Sequence, residues 1–144
     1  MIKNRCFQFA TIVACLALLS SCASPYIGRH CNTNNELVCT FQSFPSSCSF
    51  TDENFSCDYQ IEKTDNPDEY KISGTVQYIG GQTFMTFSGL SFTLLLVNNS
   101  VVVETFGIAG GSGLLQSEIT FSRTFVTPLT FDASLIDYQA NARG

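Results

Sequence analysis

The sequence predicts an all-β fold, a small antiparallel β-sandwich, and three features carry that expectation. Short runs rich in β-branched and aromatic residues recur from position 37 onward, separated by Gly, Pro, Asn, Asp and Ser clusters. Several of these runs alternate apolar and polar residues, the period of a half-buried strand. Beyond residue 21, no segment sustains the 3.6-residue period of an amphipathic helix. About eight short strands at regular spacing imply a sandwich or a small barrel, and an immunoglobulin-like sandwich is among the expected layouts.

Taken in order, Leu37–Phe44 and Phe55–Glu62 are short, aromatic-rich candidate strands. Residues 64–69 (TDNPDE) form a turn in which Pro67 presets one backbone angle. In the run Glu69–Ile79, Tyr70, Ile72, Gly74, Val76 and Tyr78 fall on one face. Gly80-Gly81 closes that strand, and Thr83–Leu90 opens another. Ser91–Val97 and Ser100–Phe106 flank Asn98-Asn99. Asn tolerates positive φ, so this pair predicts a tight primed hairpin turn. Leu94–Val97 and Val101–Val103 are apolar without a break, as in strands buried on both faces. Gly107–Gly113 (GIAGGSG) reads as a flexible loop. In Leu114–Phe125, Ile119, Phe121, Arg123 and Phe125 share one face, and a last strand is expected near Ser134–Ala140.

The N-terminus has a different character. Lys3 and Arg5 precede an apolar run from Cys6 to Leu19, after which come Ser20 and Ser21. Charge, apolar core and small residues in that order form an export signal. The run holds Gln8 and Thr11 and is shorter than the roughly 20 residues that cross a bilayer. The residues Leu19-Ser20-Ser21-Cys22 resemble the lipobox of bacterial lipoproteins. The resemblance covers the first 22 residues only. It implies a helical signal peptide over residues 1–21, cleaved before Cys22, whose thiol carries a diacylglycerol and whose new amine is acylated, typically with palmitate. Two or more chains anchor stably where one binds marginally. Plain secretion, with Ser21-Cys22-Ala23 as an ordinary cleavage site, is the rival expectation. In this family an Asp after the lipidated Cys often retains the protein in the inner membrane. Ala23 stands there instead, which favours an outer-membrane location in a Gram-negative envelope.

All 12 Asp and Glu residues follow Cys22, against the five basic residues Arg29, Lys63, Lys71, Arg123 and Arg143. No basic patch of the kind that binds phosphate backbones is present, so nucleic acid is excluded as a partner. The acidic balance leaves the lipid on Cys22 to hold the membrane. Residues 22–35 are polar and turn-forming and read as a lipidated spacer. Residues 36–144 read as one β domain.

Four cysteines remain after Cys22, namely Cys31, Cys39, Cys48 and Cys57. An even number in an oxidising compartment predicts disulfides, here two, with three possible pairings that spacing does not distinguish. A four-thiolate zinc site is the weaker alternative, because such sites use close Cys-x-x-Cys pairs. No metal or other cofactor is expected.

The sequence holds little that carries catalysis. His30 is the only histidine, and it lies in the spacer with no G-x-S-x-G elbow elsewhere. The GIAGGSG run lacks the Lys-Ser/Thr ending of a phosphate-binding loop. Asp52-Glu53 and Asp65, Asp68 and Glu69 cluster, but without calcium-loop spacing. A glycosidase-type carboxylate pair is suggested only by the presence of acids. The expectation is therefore a non-enzymatic envelope lipoprotein that binds a protein partner or supports an assembly. The alternative is a module for a sugar or small molecule using Tyr26, Tyr59, Tyr70, Tyr78 or Tyr138. A hydrolase is the third reading.

Overall fold

The computed structural model describes residues 24–32, 37–81, 86–114 and 118–143. Among the described residues there are eight strands: β1 (Cys39–Thr40), β2 (Ser46–Thr51), β3 (Phe55–Lys63), β4 (Glu69–Tyr78), β5 (Thr86–Asn98), β6 (Val101–Leu114), β7 (Ile119–Val126) and β8 (Ala133–Arg143). They form two four-stranded antiparallel sheets, β1-β8-β5-β6 (sheet A) and β2-β3-β4-β7 (sheet B). The expected sandwich is what forms. Its strand order departs from the immunoglobulin layout, whose first sheet runs A-B-E-D. Here β2, β3 and β4 make a meander within one sheet, and the chain then alternates sheets through β7 and β8.

Alternation decides which side chains enter the core. On sheet B, Cys48, Phe50, Phe55, Cys57, Tyr59, Ile61, Ile72, Val76, Phe121 and Phe125 point inward and are buried. Sheet A answers with Leu90, Phe92, Leu94, Leu96, Ile108 and Ile136. Burying one such side chain contributes roughly 1.5–3 kcal/mol, so the apolar faces dominate the stability of the sandwich. Aromatic rings close both ends. Phe55 meets Tyr78, Phe92 and Tyr138 at centroid distances of 5.6, 5.2 and 4.6 Å. At the other end Phe44, Tyr70 and Phe131 pack within 5.8 Å of one another. Arg123 shares the face of Phe121 and Phe125 yet is exposed on the edge strand β7, where a charge discourages pairing with another sheet.

Several expected elements are redrawn. The run Leu37–Phe44 is mostly irregular, with two strand residues, while β2 arises in Ser46–Thr51, a Ser-rich stretch read as a boundary. Its alternation is clear once seen: Cys48 and Phe50 are buried while Ser47, Ser49 and Thr51 are exposed. The described parts of Thr83–Leu90 and Ser91–Val97 are one strand, β5, with register shifts along its length. The primed turn forms, but Asn99 and Ser100 occupy its centre with φ of 49° and 66°, one residue later than expected. Gly107–Gly113 is not a loop but the second half of β6. At Gly110 a Cβ would lie 2.8 Å from the Leu90 carbonyl oxygen, so the close approach of the two strands requires glycine there.

The segment ahead of the domain is also structured. Leu95, Val97, Val102 and Ala133 form a second apolar cluster, over which Tyr26, Cys31, Val38 and Leu135 pack. The Gly28 N–H donates to the Val102 carbonyl (2.9 Å), the Val102 N–H to Arg29 (2.9 Å), and the Cys31 N–H to Ser100 (2.7 Å). Residues 24–32, within the stretch read as a lipidated spacer, are thus fastened to sheet A. The reason is apolar. Without Tyr26 and Cys31, that cluster would face water.

Candidate functional site

The structure distributes the candidate residues unevenly. Residues 1–21, expected to form an export signal, and Cys22 lie outside the described residues. Cys39 and Cys48 are bridged, with Cα atoms 5.8 Å apart. Since β1 is the edge of sheet A and β2 the edge of sheet B, this bond ties the two sheets together along one side. The expected second bridge does not form, and Cys31 and Cys57 are free thiols. Cys57 points from β3 into the core, whereas Cys31 belongs to the leader and packs against the second cluster, so the two belong to different packed layers. Burial pushes the Cys57 thiol up to about 12, with the nearby Asp58 charge adding to the shift. A thiol held so far from its thiolate is a poor nucleophile.

His30 forms an isolated antiparallel bridge with Val101 at the start of β6. Of the acidic groups, Asp52 is used structurally. Its Oδ1 accepts from the N–H groups of Asn54 and Phe55, both at 2.8 Å, and its Oδ2 accepts from the Tyr138 hydroxyl at 2.7 Å. Partial burial opposes the Asp52 charge, but these three bonds outweigh it and hold the carboxyl below its ordinary range. Glu69 Oε1 accepts from Thr64 (2.7 Å) and Asn66 (2.9 Å), which closes the TDNPDE turn and lowers that carboxyl too.

None of the five tyrosines forms an exposed platform. Tyr59 is buried, its hydroxyl 2.9 Å from that of Ser134, and burial pushes it up to about 12. Tyr70, Tyr78 and Tyr138 are half-buried among core rings. Tyr26 lies against sheet A, bonded to Asp137 and Gln139 of β8.

One concave feature of the described residues is not singled out by periodicity. The outer face of sheet B forms a groove of about 610 Å³. Strand register sets its lining in two rows. Ser49, Asp58, Thr75 and Thr120 are consecutive partners across β2, β3, β4 and β7, and Ser47, Gln60, Ser73 and Ser122 form the row beside them. Neighbouring strands lie about 4.8 Å apart, so each row presents four polar groups over roughly 14 Å. Hydroxyls and the amide both donate and accept, and Asp58 is the single carboxylate in the lining. Beyond the second row, Glu62 pairs with Lys71 at 3.1 Å. The sequence signal was present in the Ser/Thr-rich outward positions, but alternation alone assigns these to ordinary exposed surface. His30, held on β6 of the other sheet, is not placed to act on the groove's serines.

Comparison with known protein families, with curated proteins and with solved structures finds no match.

Proposed function

We propose that the chain is a lipid-anchored, non-enzymatic module of the bacterial envelope, held to the membrane through Cys22, with an envelope protein as its partner on the outer face of sheet B. The lipobox-like Leu19-Ser20-Ser21-Cys22 supports the anchor, and Ala23 favours the outer membrane as its location. The observation that carries the binding role is the groove, where two registered rows of short polar side chains stand on a rigid four-stranded sheet. Groups fixed on strands need little ordering when a partner docks, which favours specific polar recognition.

A second reading has its own support. The lining contains hydroxyls, one amide and one carboxylate, and no exposed aromatic ring of the kind that anchors protein interfaces. That chemistry also suits a polyhydroxylated ligand such as a glycan. A photo-crosslinking residue at Ser73 or Thr75, used in cells, separates the two. The main reading expects one protein recovered reproducibly from these positions and not from Glu104 on the other sheet. Recovery of none, together with a specific glycan retained on an array, replaces it with the second. Mass spectrometry of the mature N-terminus is expected to show an acylated Cys22. An unmodified terminus at another residue removes the anchor.

A further inference from the structure

The way the leader is fastened fixes which side of the domain meets the bilayer. Ser24 opens a turn in which the Ile27 N–H donates to the Ser24 carbonyl at 3.2 Å. That turn is immobilised by the Gly28–Val102 and Arg29–Val102 backbone bonds and by Tyr26, which lies over β8 and bonds Asp137 and Gln139. One residue, Ala23, separates Ser24 from Cys22. Two residues reach at most about 7 Å, so a lipid on Cys22 is held within that distance of the docked turn. Ile27 projects from the same turn and is 46% exposed, one of four large apolar side chains exposed among the described residues. Arg29 is beside it, its guanidinium 5.6 Å from the Tyr26 ring centroid.

Resting on the lipidation of Cys22 proposed above, we infer that the Ser24–Arg29 turn is the membrane-facing surface, with Ile27 entering the lipid interface beside the acyl chains and the groove of sheet B facing away from the bilayer. Interfacial apolar groups sit roughly 5–10 Å into the headgroup boundary, a depth that so short a tether permits. The groove lies on the far sheet of a two-layer sandwich whose layers are about 10 Å apart. The anchored domain therefore presents its polar face to whatever occupies the adjoining compartment. The tether also leaves it little freedom to roll over while the leader stays docked.

The chain contains no Trp, so a single introduced Trp reports its own surroundings. Full-length lipidated protein carrying Ile27→Trp or Thr75→Trp is reconstituted into phosphatidylcholine vesicles with ordinary or brominated acyl chains, and recovery is checked by flotation. Both variants are expected to float. Brominated chains are expected to quench the Ile27→Trp emission about twofold, while the Thr75→Trp emission is unchanged. A floating Ile27→Trp protein that is not quenched overturns the orientation and leaves the anchor standing, as does quenching confined to Thr75→Trp. Protein that stays in the aqueous fraction with Cys22 unmodified removes the anchor and the orientation together.

Discussion

The Tyr59 hydroxyl of β3 crosses the core to meet the Ser134 hydroxyl of β8 at 2.9 Å, joining the two sheets through a hydrogen bond that water does not reach. The path exists because Gly74, Tyr59's partner on β4, has no side chain. A Cβ there would lie 2.8 Å from both Cα and Cβ of Tyr59 and closer still to the Asp58 carbonyl oxygen. The obstruction is backbone, so it does not yield by a rotamer change. Gly74→Ala is expected to destabilise the domain by about 1–3 kcal/mol through overpacking. Tyr59→Phe strands the Ser134 hydroxyl and is expected to cost about 1–3 kcal/mol, with Tyr59→Phe/Ser134→Ala costing less than the sum of the single changes. Chemical denaturation of the parent, Gly74→Ala, Tyr59→Phe, Ser134→Ala and the double variant checks both.

Thiol counting tests the cysteine assignment. Unreduced protein is expected to show no reaction at Cys57 while folded, and Cys31 and Cys57 are expected to react after denaturation. Cys39 and Cys48 are expected to react only after reduction. The bond closes a short loop, so Cys39→Ala/Cys48→Ala is expected to lower stability by about 2–3 kcal/mol in denaturant titrations. A peptide map that joins Cys31 to Cys57 would contradict this arrangement.

Asp52 gives the acid limb of stability a definite sign. Its carboxyl is depressed in the folded state, because the bonds from Tyr138, Phe55 and Asn54 together outweigh the effect of burial. A depressed acid stabilises the fold above the ordinary carboxylate range near pH ~4, and the contribution is lost as pH falls through the folded value. Tyr138→Phe removes one of these bonds and is expected to cost ~1 kcal/mol at neutral pH, a figure reduced by partial exposure. The gap between variant and parent is expected to narrow from about pH 5 to about pH 2 in paired urea titrations. A gap that widens in acid would reverse the assignment.

Removing residues 1–32 from a soluble form is expected to bare Leu95 and Val97 and to lower stability by roughly 2–3 kcal/mol relative to a form starting at Ser24. Dye binding to exposed apolar surface should rise in parallel. Equal stability of the two forms would mean that the leader contributes nothing to the fold.

The strands β3, β4 and β7 were legible in the sequence because one face of each is wet and the other dry, which writes the period directly into residue type. The first half of β6 was legible for a different reason, its unbroken Val run. The second half was not. Glycine signals a turn by its conformational freedom, and at Gly110 it serves instead to let two strands approach. β2 was missed because serine is common in loops and in exposed β positions alike. Counting predicted two disulfides, but pairing is decided by layers. A cysteine in the core and one on the leader outside sheet A share parity of number and nothing else. The groove depends on cross-strand register, which no single run of residues records.

The docking of residues 24–32 also sets the order in which the domain can assemble. Their partners are Ser100 in the β5–β6 turn, Val102 on β6, and Asp137 and Gln139 on β8. Whether the polypeptide emerges from a ribosome or is threaded across a membrane, the residues that appear first are among the last to find their seat. β1 likewise waits for β8. Contacts of such long sequence separation delay folding until β8 is available. Through that interval residues 24–32 are without the partners on β6 and β8 that hold them in the folded domain.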